Sequence, residues 1–418
     1  MKLTLVTLLA ASAVQAISWQ QGNNGAVLWS NDCDWSGGDI AAIATTGEDC
    51  ATQCLATVGC VKFSWRSGTC WVKNYSAGSA FVSSGEMCGF TFGAYNQAIA
   101  QDFADPSIML DSGGTWYAVA TSGNGKTVQQ ASSQDFYHWT IINDALPAVG
   151  AWVDPTNTGI WAPEVRQLGQ GSYVMYYTGK LPGQNSHCIG TATASTPAGP
   201  YNPAPNPLIC NVAQGGVIDP SGFEDVTGAR YILYKIDGNN VGNGGVCGNT
   251  VAPIHSTPIM LQAVGNDGVT LIGNPIQLID RGAADGPLIE APSLVYWDGW
   301  YYLFFSSNCY STPQYDISYA VATSVTGPYT KVGAPNAPLL ITGDYNLSSP
   351  GGATAINVLS MFAYKKYNLS FLSKVDDEYV NFVFHANLNG QNINNGRAMY
   401  ATANICLNNG VVTLNCAM

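Results

Sequence analysis

Three carboxylic acids stand out by their position. Asp105 and Asp219 each directly precede a proline, in DPSIML and DPSGFE, and Glu290 sits two residues before one, in IEAPSLVY. Their prolines, Pro106, Pro220 and Pro292, form one series with Pro163 and Pro350, where Ala162 and Ser349 stand ahead of the ring instead. The repeat therefore does not require an acid there, although Asp-Pro by itself is a frequent turn signal. Two carboxyl groups brought together can divide a hydrolysis between them: one stays protonated and donates to the leaving oxygen, and the other stays ionised and activates water. Negative charge beside the donor keeps it protonated, which gives a third carboxylate a physical use.

Acids so far apart in the chain meet only if the chain keeps returning to one place. Five aromatic, β-branched runs recur with strand composition: TWYAVAT (115–121), SYVMYYT (172–178), RYILYKI (230–236), WYYLFFS (300–306) and NFVFHAN (381–387). The first four follow the proline pieces DPSIML, APEVRQ, DPSGFE and APSLVY, and SSPGGATA precedes the fifth. A second echo, TATASTPAGPY against AVATSVTGPY, follows the second and fourth runs as an outer strand and turn would. Matched strand-rich units with almost no helical periodicity predict an all-β chain folded as a five-bladed β-propeller over 96–418. A sandwich is the alternative, but its strands would not carry matched motifs.

The opening MKLTLVTLLAASAVQA joins a lysine, a short apolar run and small residues ending at Ala16, which predicts a signal peptide over 1–16 and a secreted, extracellular protein. No later stretch approaches the roughly 20 apolar residues of a membrane span. Charged residues make up 10% of the 418 and the net charge is -12. Nucleic acid and anionic membranes both attract basic patches, so neither is an expected partner, whereas a neutral ligand is. Twelve cysteines suit an oxidising compartment. Six of them, Cys33, Cys50, Cys54, Cys60, Cys70 and Cys88, crowd the segment 17–92, marking a small disulfide-rich α+β module stapled because its core is small. Within it GEDCATQCLATVGCVKFSW predicts a short helix carrying Cys50 and Cys54, then a strand after Cys60. Sequons at Asn74, Asn346 and Asn368 are candidate glycosylation sites.

In this order, QDFADPSIML, GIWAPEV, GGVIDPSGFED and GPLIEAPSLV resemble glycoside hydrolase family 43, and the resemblance runs from Asn96 to the C-terminus. It implies that Asp105 is the general base and Glu290 the general acid that protonates the glycosidic oxygen. Asp219 then modulates the proton affinity of Glu290 and orients it, and the anomeric carbon inverts. Inversion requires base and acid about 6.5–9.5 Å apart so that water fits. Trp161 in GIWAPEV is similar to the family's substrate-side aromatic, Arg397 in GRAMY to an arginine at the catalytic subsite, and Tyr310 is a further ring for sugar stacking. A solvated strand position for Arg397 and blade-core roles for many of the aromatics stay open. His385 in VFHANL resembles a histidine that related arabinan-degrading enzymes place near the axis, close to a bound cation or ordered water. No cofactor is required. Structural Ca2+ held through water and carbonyls stays open, while four histidines and bridged cysteines disfavour zinc.

Within the family, VIDPSGF with YKIDGN, STPIML and DGPLIEAPS is most similar to the arabinan-degrading group. That implies hydrolysis of α-1,5-L-arabinan or arabinofuranosyl linkages in neutral plant cell-wall polysaccharide. A β-xylosidase or β-1,3-galactanase on the same scaffold stays open, as does a non-catalytic carbohydrate-binding propeller. The cysteine-rich segment resembles the apple (PAN) module, which implies nested bridges Cys33–Cys88, Cys50–Cys70 and Cys54–Cys60 and leaves a glycan or protein ligand open. ATSGNGKT (120–127) matches a relaxed phosphate-loop pattern, but the residues after it predict strand and turn where that motif needs a helix.

Two departures from the family pattern remain. Ala104 stands where the family usually has proline, outside the carboxylate itself. An atypical insertion at 357–378, Lys-rich and Met/Phe-rich, lengthens the fifth unit. It reads either as a loop over one face or as an unspliced intron translated into the sequence. The intron reading predicts a transcript without this stretch; a sequenced cDNA that contains it would overturn that reading.

Overall fold

A computed structural model describes residues 17, 20–23, 27–57, 60–74, 80–91, 97–136, 138–357, 380–388 and 395–414, without the side chains of residues 21 and 402–404. The expected signal peptide, the sequon at Asn368 and, beyond Asn357, the insertion lie outside them. No described helix is long and apolar enough to cross a membrane. The chain divides into two compact units, Met1–Gly93 with Gly343–Asn346, and Ala94–Thr342 with Leu347–Met418.

The first unit is a six-stranded antiparallel sheet. Its strands lie in the order Gln20–Gly22, Val27–Trp35, Ala80–Thr91, Lys62–Arg66, Thr69–Lys73 and Asp39–Ala44. A single described helix, Gly47–Ala56, packs on it. Thr46 caps that helix by accepting the Asp49 N–H on its side chain, and Glu48 and Asp49 in the first turn complement the helix dipole. Its buried face presents Cys50, Ala51 and Cys54 to Val27, Phe63 and Val72. The bridges Cys33–Cys88, Cys50–Cys70 and Cys54–Cys60 form with the nested pairing that the resemblance implied. Asn346 departs from the sequon expectation: its amide is buried and donates to the Val61 and Thr91 carbonyls, leaving no room for a glycan.

Five further sheets make up the described part of the second unit. Their leading strands are Ser107–Leu110, Trp161–Gly169, Val217–Glu224, Ile289–Trp297 and Gly351–Asn357. The five aromatic runs supply the second strands, Trp116–Ala120, Ser172–Lys180, Arg230–Ile236, Trp300–Ser307 and Val380–Asn387. Third strands follow at Gln129–Ser133, His187–Ala194, Ile259–Val264, Asp316–Ala322 and Arg397–Asn408, and a fourth strand completes each antiparallel meander. The two echoed outer turns match in detail: Tyr201 and Tyr329 each donate a hydroxyl hydrogen bond to the carbonyl four residues back, on Pro197 and Val325. ATSGNGKT runs through a tight turn into a strand, with no helix after it.

Leading strands touch their neighbours in cyclic order, and the fifth returns to the first. Alternation along each strand explains this packing. In Ser172–Lys180, Tyr173, Met175 and Tyr177 pack with Met109 and Val119 of the first sheet, whereas Val174 and Tyr176 pack with Val217 and Ile232 of the third. Leu233 meets Leu294 and Leu303, and Ile108 and Ala118 meet Ile356 and Val383, joining the fifth sheet to the first. Gln97–Ile99, near the start of this unit, pairs with Arg397–Asn408 near its end.

Every leading strand is entered through the same kink. The residue ahead of proline is left-handed in all five: Asp105 (φ 53°), Ala162 (41°), Asp219 (56°), Ala291 (53°) and Ser349 (49°). Register breaks accompany it in four, between Trp161 and Glu164, Ile218 and Ser221, Glu290 and Ser293, and Gly351 and Thr354. Such a conformation costs a residue with a Cβ about 1–2 kcal/mol, so surrounding contacts must hold it. In the fifth sheet the two glycines after Pro350 make space: a Cβ on Gly351 would lie 1.9 Å from the Tyr315 ring, and one on Gly352 2.6 Å from the His385 ring.

Ala162→Gly is therefore expected to change unfolding free energy by under about 0.5 kcal/mol, because relief of strain offsets added chain entropy. Gly351→Ala should cost on the order of 3 kcal/mol through over-packing. Chemical denaturation checks both, and a loss of about 1 kcal/mol in Ala162→Gly would show that the kink stores no strain.

Candidate active site

The entry kinks set the direction of the three acids. Asp105 and Asp219 occupy the left-handed position itself, and Glu290 precedes it, one residue before Ala291. Hydroxyls at the ends of second strands pin these entries: Thr121 Oγ1 accepts the Ala162 N–H at 2.9 Å, and Thr178 Oγ1 accepts the Asp219 N–H at 3.1 Å.

Asp105 is held from both sides. Thr121 donates to its Oδ2 at 2.6 Å, and Arg397 Nη1 donates to its Oδ1 at 3.2 Å. Burial opposes ionisation, but the Arg397 guanidinium and these hydrogen bonds more than offset it, so the carboxyl lies below its ordinary range. The Asp105 N–H donates to His385 Nδ1 at 3.0 Å, and Arg397 Nη1 lies 3.3 Å from His385 Nε2. His385 is fully buried, and burial followed by the guanidinium pushes its imidazole down to about 3, leaving it neutral. Tyr315 stacks on the imidazole with ring centroids 6.0 Å apart.

Asp219 and Glu290 sit in the opposite electrostatic setting. Asp219 Oδ2 accepts the Ala291 N–H at 2.9 Å, so the acid of the third sheet grips the entry of the fourth. Burial and the neighbouring Glu290 charge hold the Asp219 carboxyl well above its ordinary range, with a smaller push from Asp105. Glu290 is nearly buried and receives two donors, Lys235 Nζ on Oε2 at 2.9 Å and the Tyr315 hydroxyl on Oε1 at 2.9 Å. Lys235, itself buried, also lies 3.1 Å from Asp237 Oδ1. Burial would discharge this lysine, but the carboxylates of Glu290, Asp237 and Asp219 outweigh it and keep the ammonium charged. The three acids thus lie within electrostatic reach of one another, and the Tyr315 hydroxyl feels all three.

Trp161 is 40% exposed and stacks on His187 with centroids 4.0 Å apart, beside Ala162. Tyr310 is 39% exposed and lies against the Arg397 guanidinium at 5.5 Å, next to Cys309, which is bridged to Cys247. Both rings thus keep a face for a ligand while their other side is held. Arg397 is not a solvated strand residue: it is largely buried on Asp105.

The positive charge beside His385 is this guanidinium. Both ring nitrogens lie against N–H donors, the Asp105 backbone and Arg397, so the one lone pair of the neutral imidazole is already engaged, and Asp105 is paired. The donor set thus fits a Ca2+ ion at His385 poorly. No group of three or more metal-ligating side chains occurs among the described residues. Sequence reasoning missed Lys235, Asp237, Tyr315 and Thr121. Lys235 alone left a trace, as the charge inside the apolar run ILYKI.

The model of glycosyl hydrolases family 43 matches residues 95–383. The extracellular endo-alpha-(1->5)-L-arabinanase 1 of Bacillus subtilis is 24% identical over 306 residues, covering 69% of this chain and 87% of that protein. A thermostable family-43 glycoside hydrolase superposes with a TM-score of 0.61 at 22% identity, over 76% of this chain and 93% of that one. An endo-1,4-beta-xylanase from Bacteroides thetaiotaomicron superposes with a TM-score of 0.58 at 23% identity, over 77% and 96%. A family match across most of the second unit, on a fold shared with solved members, settles the affiliation: the chain belongs to glycosyl hydrolases family 43, enzymes that hydrolyse O-glycosyl bonds.

Proposed function

We propose that the protein is a secreted, inverting arabinanase whose second unit is a five-bladed β-propeller. The five meanders and the cyclic contact of their leading strands support the blade count. Opposed electrostatic settings carry the mechanism: Arg397 keeps Asp105 ionised, while burial and the Glu290 charge raise the Asp219 carboxyl. In this reaction Asp105 takes a proton from water as the water oxygen bonds to the anomeric carbon. The C–O bond to the leaving sugar breaks, and its oxygen receives the proton from Glu290. Product is the inverted hemiacetal plus the free hydroxyl of the leaving sugar; Asp105 ends protonated and Glu290 ionised, and proton exchange with solvent resets both. Asp219 serves as the modulator and orienter of Glu290, fixing the entry of its strand through the Ala291 N–H. Trp161 and Tyr310 supply stacking faces, and Arg397 holds the base.

The Bacillus subtilis relative supports α-1,5-arabinan as substrate. The likeness to a xylanase supports testing xylan as the alternative. Secretion fits the disulfides of both units. The helix packed on a sheet under nested bridges supports an apple-like first unit, with a glycan or protein as its ligand.

Products from debranched 1,5-α-arabinan, xylan and β-1,3-galactan decide among these substrates. Arabinose or arabino-oligosaccharides are expected, with kcat lowered roughly 10²–10⁴-fold in each of Asp105→Ala and Glu290→Ala. No product from any polymer would favour a carbohydrate-binding propeller. On the acid side, kcat/KM should fall only below about pH 4, the ordinary aspartate value, because protonation of Asp105 is suppressed. Arg397→Met is expected to move that limb upward by roughly one to three units; an unmoved limb would show that the guanidinium does not govern the base.

A further inference from the structure

A lysine buried among carboxylates inside an apolar strand is costly unless its charge is used. Lys235 is 1% exposed, in a strand whose other buried residues are Ile232, Leu233, Tyr234 and Ile236. Desolvating an ammonium costs several kcal/mol, and a methionine of similar length would fill the same space without that cost. The ammonium instead spans Glu290 Oε2 at 2.9 Å and Asp237 Oδ1 at 3.1 Å, with Asp219 also within its field. Glu290 reaches it from the fourth sheet, and Asp237 from the turn after its own strand.

We propose that Lys235 is a positioning residue for the hydrolytic step, holding the Glu290 carboxyl and, balanced by Asp237, setting the alkaline limit of activity. This rests on the acid role assigned to Glu290 above. Two donors already occupy one lone pair on each Glu290 oxygen. These bonds fix the plane of the carboxyl and leave its remaining lone pairs as the place where the transferred proton resides. Donated hydrogen bonds and a neighbouring ammonium favour a carboxylate over its acid, so removing the lysine makes the proton easier to hold. The charged or titratable groups around Lys235 and Glu290 are Asp219, Asp237, Tyr315 and, through Asp219, Asp105, with His187 beside Asp237. Asp237 draws part of the ammonium field away from Glu290, so the two residues act in opposite senses. Lys235 touches no reacting atom in this scheme and acts only through Glu290.

The test is the pH dependence of kcat/KM for the full chain, on whichever of debranched arabinan, xylan or β-1,3-galactan the wild type cleaves fastest. Lys235→Met removes positive charge, so the proton is held more tightly and the alkaline limb should move up by roughly one to three units. Lys235→Arg should return the limb toward its wild-type position. Asp237→Asn removes negative charge and should move it down by about one unit, and this variant carries the test alone if Lys235→Met does not fold. A Lys235→Met profile that is lowered uniformly without a shift, or an Asp237→Asn limb that rises, overturns the proposal. No hydrolysis by the wild type would overturn the hydrolase reading and this proposal together; an active wild type with an unshifted variant overturns this proposal alone.

Discussion

An ionised carboxylate persists in a protein interior only beside a fixed counter-charge, and for Asp105 that charge comes from the far end of the chain. Arg397 lies on the third strand of the last sheet, the same strand that pairs with Gln97–Ile99 just ahead of Asp105. The Phe103 N–H donates to the Arg397 carbonyl, and the Arg397 N–H to Asp102. The cyclic contact of the leading strands and the electrostatics of Asp105 are thus one set of contacts. A chain that failed to bring its ends together would lose the cyclic packing of the leading strands and the charge on Asp105 at once.

The other half of the site follows a different rule. Where Asp105 has one strong cation to itself, Asp219, Glu290 and Asp237 share Lys235. Two burial environments close to each other, one rich and one poor in positive charge, separate the proton affinities of chemically similar groups. Neutral His385 adds no charge and serves geometry, accepting the Asp105 N–H on one nitrogen while Tyr315 stacks on its face and reaches on to Glu290. Tyr315 thereby links the two halves mechanically.

Much of the architecture was legible because it repeats. The aromatic runs became second strands, the proline pieces leading strands, and the echoed Gly-Pro-Tyr turns came to match down to a tyrosine hydrogen bond. The six early cysteines needed a likeness to a known module, since spacing alone leaves many pairings. What stayed hidden depends on contacts between distant residues. Lys235 looked like one polar exception in an apolar strand, and nothing local to it names Glu290 as its partner. Tyr315 sits in an unremarkable Pro-Gln-Tyr-Asp stretch. The left-handed turn ahead of each proline was invisible for another reason: Asp, Ala and Ser share it, and it marks no residue type.

That shared turn separates address from cargo. Five entries deliver a side chain with the same backbone gesture, yet three serve acids, directly or one residue upstream, while Ala162 and Ser349 occupy the others with little chemistry of their own. The expensive part of the arrangement, a strained backbone held by packing, is common property of the repeat. The cheap part is a few atoms beyond Cβ. A lineage built this way can trade one reactivity for another by exchanging single residues at ready-made sockets, and two of them here hold no acid.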